Sequence, residues 1–222
     1  MAVRKKLVLL IGPSASGKTT VTRILQEKHG FSEAISHTTR EKRLGEKDQF
    51  ESENPTYHFV SEKEFQQMID NGDFIEYVEF AGNKYGISKQ ALLDTEGEKV
   101  ILIVEPNGAL QVYEWVKNNN ACFKETGLYV ELSAFFINVG HNEALERMCK
   151  REGYTIEDFE TNMKEEIKER ILARLRKDNI RENKAVLYKA APKLIDLEFN
   201  SKKIGPEKIA AIINNYVSGE IL

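Results

Sequence analysis

Apolar positions along the chain fall into two repeating patterns. Runs rich in apolar residues occur at "KLVLLI" (6–11), "KVILIVE" (99–105), "AFFINV" (134–139) and "LIDLEF" (194–199). Such runs mark strands buried on both faces of a parallel sheet. Between them the apolar spacing changes to that of helices. Val21, Ile24 and Leu25 share one face of a helix predicted over Lys18–His29, directly after a strand at Leu7–Ile11. A long helical region runs from Asn142 to about Ala191, broken near Gly153 and restarted at Thr155. Strands alternating with helices point to an α/β core with a parallel sheet flanked by helices.

The stretch from about 36 to 90 departs from that alternation. A short strand is expected around Ala34–Ser36, followed by a polar, charge-rich stretch from Glu41 to Asn54. "TYHFVS" (56–61) reads as a strand, and "DFIEYVEFAGNKYGIS" (73–88) as a hairpin turning at a Gly-Asn pair. "SEKEFQQMIDNG" (61–72) carries Ser61 as N-cap, Glu64 three residues on and Gly72 past the end, so it predicts a short helix. This segment looks inserted into the α/β core.

Composition narrows the class. With 222 residues, 41% hydrophobic and 30% charged, the chain is long enough for one domain with a large core. A net charge of −3 argues against general nucleic-acid binding, so any anion site must be local. No stretch approaches the ~20 apolar residues of a membrane span. The basic-then-apolar start, "MAVRKKLVLLIG", has too short an apolar run for a secretory signal and no small-residue cleavage site. Cys122 and Cys149 lack metal-ligand or CxxC spacing, which points to a reduced, cytoplasmic protein. His29, His37, His58 and His141 share no metal-ligand spacing either.

The strongest chemical signal is "GPSASGKTT" (12–20), glycine, four residues, glycine, lysine, threonine, set between the first strand and the first helix. A glycine-rich turn there leaves backbone N–H groups pointing into a concavity at a helix N-terminus, which suits phosphate. Gly12, Pro13, Ser14, Ala15, Ser16, Gly17, Lys18, Thr19 and Thr20 are the candidate triphosphate cradle. Lys18 is expected to reach the β- and γ-phosphates, and Thr19 to ligand Mg²⁺. The fold expected is therefore a P-loop NTPase core.

With that loop placed, "SHTTREKR" (36–43), "YHFVSEKEF" (57–65), "GDFIEYVEF" (72–80) and "GNKYGIS" (82–88) follow in an order that resembles the guanylate kinase family. The likeness runs from residue 7 to about 108 and more weakly to about 200. It implies one domain with three parts: a core (1–35, 96–141 and 179–222), a β-rich monophosphate-binding subdomain (36–95) and a helical lid (142–178). It also implies phosphoryl transfer from ATP to GMP or dGMP with Mg²⁺, in a monomer or homodimer with no nucleic-acid or membrane partner. By resemblance Arg40 and Arg43, with Tyr57 and Tyr85, would grip the acceptor's phosphate, and Glu76 and Ser36 would read the base. The chemistry agrees: guanidinium forks suit phosphate, and an ionised carboxylate accepts guanine's adjacent N1–H and N2 donors. Closure of 36–95 and 142–178 towards the core on nucleotide binding is expected, since water must be kept from the γ-phosphate.

Two positions depart from the family's pattern. Ile87 stands where a hydroxyl is usual, so base preference could be shifted towards a deoxy or modified nucleotide. Ile103 and Glu105 stand where two aspartates are usual; Glu105 keeps a carboxylate at the strand's end, in the acceptor region. In the lid, Arg147 and Arg151 are four apart and share a helix face. Arg170 is the expected third lid arginine, with Arg174 one turn further on. The candidate catalytic set is Lys18, Arg40, Arg147, Arg151 and Arg170. Asn200 would border the adenine pocket by resemblance alone. Alternatives are a kinase for another nucleotide, or a protein-binding module built on the same fold; the intact loop favours the enzyme.

Overall fold

The computed structural model describes residues 3–42, 57–80, 82–122, 127–178 and 180–220. The expected polar stretch, and Arg43 within it, falls largely outside the described residues. Five strands form the larger sheet: β1 (Val3–Ile11), β2 (Ser32–Glu33), β7 (Lys99–Val104), β8 (Leu128–Asn138) and β9 (Leu197–Asn200). Their order is β2-β7-β1-β8-β9, with β2 parallel to β7 and β8 parallel to β9. Leu7 to Ile11 of β1 are fully buried, as a central strand covered on both faces requires. Each such side chain contributes about 1.5–3 kcal/mol relative to exposure.

The chain divides into two compact units, the first holding residues 1–8, 30–102 and 107–132 and the second 9–29, 103–106 and 133–222. The first contains a separate four-stranded sheet in the order β4-β3-β6-β5. Its strands are β3 (His37–Thr38), β4 (His58–Phe59), β5 (Phe74–Phe80) and β6 (Asn83–Ser88). The expected hairpin is the antiparallel β5–β6 pair, with Tyr77 opposite Gly86 and Phe80 opposite Asn83. The expected helix is α2 (Glu62–Asp70), and its capping box forms as read: Ser61 Oγ accepts the Glu64 N–H and Glu64 accepts the Ser61 N–H. A strand at 34–36 is absent. Pairing falls instead on either side, at β2 and β3, and the residues between carry the chain from one sheet to the other.

The first unit also holds α3 (Lys89–Asp94) and, from Asn107 onward, α4 (Pro106–Ala121), whose buried Ala109, Val112 and Val116 recur at helical spacing. In the second unit α1 (Lys18–His29) packs on α9 (Pro206–Ser218). The helical region after β8 is α5 (His141–Arg151), α6 (Ile156–Thr161), α7 (Glu165–Lys177) and α8 (Ile180–Ala190). The break at Gly153 and the restart at Thr155 are observed; Thr155 and Asp158 form a second capping box. Helices α5, α6 and α7 share a small core of Met148, Cys149, Phe159, Met163 and Ile171, against which Ala15 of the glycine-rich loop packs. Among the described residues no helix is long and apolar enough to cross a membrane.

Candidate functional site

Strand β1 delivers the chain into the glycine-rich loop, and α1 starts at Lys18. Gly12 has φ +150° and Gly17 φ +99°, in the region that L side chains rarely adopt. At Gly12 a side chain is also excluded by space, because a β-carbon would run into the carbonyl oxygen of Ile137 on β8. Ala15 carries a positive φ of 59°, a strained value for a residue with a side chain. The Lys18 ammonium donates to the carbonyls of Gly12 and Pro13 at 2.7 and 2.8 Å. Burial lowers its pKa to about 8, partly offset by the charges of Asp178 and Glu105 and reinforced by Arg151. The amine therefore stays cationic at neutral pH, as a phosphate ligand must.

The loop opens on a cavity of about 410 Å³. Ser14 to Val21 line it, together with Arg147, Arg151 and Arg174. Ile204, Pro206 and Ile209 give the cavity apolar lining, and Ser201 also lines it. Arg147 is held in place by donating to the Ala15 carbonyl at 3.0 Å and to Ser201 Oγ at 3.1 Å. Arg170, by contrast, is not among the lining residues; it pairs with Glu152 at 2.6 Å. Thr19 is exposed on the cavity wall at the first turn of α1. Among the described residues no group of three or more His, Cys, Asp or Glu could hold a metal ion.

The first unit gathers a second group. Thr38 Oγ1 donates to the Lys84 carbonyl at 3.0 Å and accepts the Arg40 N–H, while Thr39 Oγ1 accepts the Lys84 N–H. These bonds fix the backbone from which Arg40 projects. Its guanidinium lies over the rings of Tyr57 and Phe59, 5.4 and 5.7 Å from their centroids. The ring of Tyr85 is 6.1 Å from that of Tyr57. Arg40, Tyr57 and Tyr85 thus sit together. Glu76 is buried and directly opposite Ile87, itself buried, across the β5–β6 pair. The next residue, Tyr77, has its backbone N–H and C=O bonded by the side-chain amide of Gln111 on α4, at 3.1 and 3.0 Å. Since β5 is the sheet's edge strand, Gln111 supplies the pairing a neighbouring strand would give. Ser36 uses its carbonyl to accept the His58 N–H.

Residues that the sequence reading did not single out include Ser201, Ile204, Pro206, Ile209, Gln111 and Asp178. The proline at the first position of α9, with Ile209 and Ile213 behind it, was a legible helix start. Nothing in the pattern marked Gln111 or Asp178.

A buried strand feeding a phosphate loop at a helix N-terminus, on this sheet and with arginines facing the loop, defines a P-loop enzyme built to handle nucleotide phosphates. Comparison with known proteins narrows that class: residues 4–170 match the guanylate kinase family model, and the chain belongs to that family. The guanylate kinase of Clostridium perfringens (strain 13 / Type A) is 36% identical over 170 residues, covering 75% of this chain and 70% of that one. That of Prochlorococcus marinus subsp. pastoris is 36% identical over 161 residues, covering 68% and 83%. The crystal structure of guanylate kinase from Anaplasma phagocytophilum shares the fold, with a TM-score of 0.58 at 23% identity over 99% of this chain and 87% of that one. The protein is a nucleoside monophosphate kinase.

Proposed function

We propose that the enzyme moves the γ-phosphoryl group of ATP to GMP or dGMP, giving ADP and the nucleoside diphosphate, with Mg²⁺. The observation that carries this reading is the cavity lined jointly by the phosphate loop with its Lys18 and by Arg147, Arg151 and Arg174. The donor's phosphates lie along Ser14–Thr20 and its base against the apolar lining of Ile204, Pro206 and Ile209. A phosphate oxygen of the acceptor attacks the γ-phosphorus, the bond to the β–γ bridging oxygen breaks, and ADP leaves. The attacking phosphate is already an anion, so no general base is required. Catalysis then consists of alignment and cationic stabilisation of the transferring oxygens.

Thr19 fits Mg²⁺: one exposed hydroxyl, beside phosphates and water, matches a hard cation that keeps most of its hydration shell. When bound, that ion neutralises charge developing on the β- and γ-phosphates. Arg40, with Tyr57 and Tyr85, holds the acceptor's phosphate, Arg43 adding a second guanidinium. Glu76 accepts from guanine N1–H and N2, with Ser36 beside the base. Glu105 stands at the end of β7, where its charge favours the Lys18 ammonium. The domain reading that goes with this is a core, a monophosphate-binding subdomain (36–95) and a lid (142–178), closing on both nucleotides.

Ile87 favours one variant of the reading. Its buried side chain in register with Glu76 gives the base pocket apolar surface in place of a hydroxyl, which suits a deoxy or modified guanine nucleotide as well as GMP. A coupled ADP-release assay with ATP–Mg²⁺ and a panel of ribo- and deoxyribonucleoside monophosphates tests both. Turnover is expected with GMP and dGMP and absent with AMP and CMP; preference for any non-guanine acceptor overturns the assignment. Glu76→Gln is expected to raise KM for GMP about tenfold to a hundredfold, or ~1.4 kcal/mol per tenfold. An unchanged KM removes Glu76 from base reading.

A further inference from the structure

The phosphate loop of this chain already holds an anion of its own. Asp178 caps the C-terminal end of α7, its backbone N–H bonding the Arg174 carbonyl at 2.9 Å. Its carboxylate oxygen Oδ2 accepts the backbone N–H of Ser14 at 3.0 Å, across 164 residues of sequence. Ser14 lies at a particular end of the cradle. The Lys18 ammonium, which in this motif serves the β- and γ-phosphates, sits on the carbonyls of Gly12 and Pro13, the two residues just before Ser14. The Ser14 N–H is therefore at the terminal-phosphate end. Asp178 is also close enough for its charge to favour the Lys18 ammonium. One carboxylate thus occupies the amide that a terminal phosphate would use.

We propose that Asp178 is an internal competitor for the donor's terminal phosphate, making the donor site discriminate between triphosphate and diphosphate. The inference rests on the reading of this cavity as the donor site. The single Ser14 N–H cannot serve Asp178 and a terminal phosphate together, so a bound triphosphate displaces Asp178 from Ser14. Displacement frees the C-terminal turn of α7, the same helix that carries Arg174 one turn earlier, to move over the transferring group. After transfer the remaining diphosphate leaves the Ser14 N–H open, and Asp178 returns to it. Asp178 lies beyond the stretch matched by the family model.

The test is calorimetric titration of ATP and of ADP, each with Mg²⁺ and without acceptor, into the 222-residue protein and its Asp178→Asn variant. Asparagine keeps the shape and removes the charge. The variant is expected to bind ATP about tenfold more tightly while its ADP affinity stays within about twofold. Equal affinities for ATP in the two proteins, or equal gains for ATP and ADP, overturn the competitor while leaving the donor site intact. Failure of both proteins to bind either nucleotide overturns the donor reading and the competitor together. Hydrogen exchange on the unmutated protein gives a second readout. Exchange at 171–178 is expected to rise with ATP and not with ADP, and the same response to both nucleotides overturns the proposal.

Discussion

The carbonyl oxygen of Ile137 on β8 lies well inside 3.0 Å of the point where a β-carbon on Gly12 would stand. The neighbour is backbone of a fully buried residue, so it cannot swing aside as a flexible side chain could. The phosphate loop is therefore pressed against the adjacent strand, and its first glycine is demanded by contact as well as by a φ of +150°. Gly12→Ala is expected to cost about 2–4 kcal/mol of stability, measured as the urea midpoint, through overpacking and backbone strain together. ADP formation should fall more than ~100-fold, because the strand ladder and the phosphate cradle cannot both keep their positions.

Arg170, which the local pattern favoured, and Arg174, one turn further on, part company in the structure. Arg174 lines the cavity, whereas Arg170 is engaged with Glu152, both partners partly exposed. Arg174→Ala is expected to lower kcat by about 10²–10³ with little change in melting temperature, as loss of a cation aimed at developing charge does. Arg170→Ala should leave kcat within about threefold and cost at most ~1 kcal/mol, the ceiling for a surface ion pair. Steady-state kinetics of the two variants side by side decide the matter. Equal losses of kcat would place both guanidinium groups on the reacting phosphates.

The ease with which particular parts were read from the sequence follows from how local their causes are. The loop, α1 and the Ser61–Glu64 box are specified within a few residues, and each formed at the positions expected. Strand extents were less legible: β1 begins at Val3 and β8 at Leu128, because hydrogen-bond partners and not apolar runs set where a strand stops. Helix α4 was overlooked although Pro106 opens it and Ala109, Val112 and Val116 recur at helical spacing. What sequence could not give was long-range partnering. The Gln111 amide on the Tyr77 backbone and the Asp178 carboxylate on Ser14 join residues 34 and 164 positions apart, with no pattern linking them.

His37 and His58 lie opposite each other on the parallel β3–β4 pair, their ring centroids 4.7 Å apart and both Nδ1 atoms buried without a hydrogen-bond partner among the described residues. Burial pushes the His37 pKa down from 6.5 to about 4, with His58 lowering it further and a bond to the Gly86 backbone opposing. Burial also lowers His58, against the pull of Asp94 on α3. In the unfolded chain both rings take up a proton near pH 6.5, whereas in the folded protein they resist it. The unfolded state therefore binds more protons throughout that window, so stability is fully present above about pH 6.5 and is lost as pH falls towards 4. The urea midpoint is expected to be flat from pH 8 to about 7 and to decline steadily from about 6.5 to 5, before most carboxylates titrate. Replacing both histidines, His37→Phe with His58→Phe, should keep the ring contact and remove most of the decline between about pH 6.5 and 5. The strands that they join hold Thr38 and Phe59 beside Arg40, so acceptor KM in the unmutated enzyme is expected to rise over the same interval. A midpoint that falls equally in the double variant would assign the acid sensitivity to other groups.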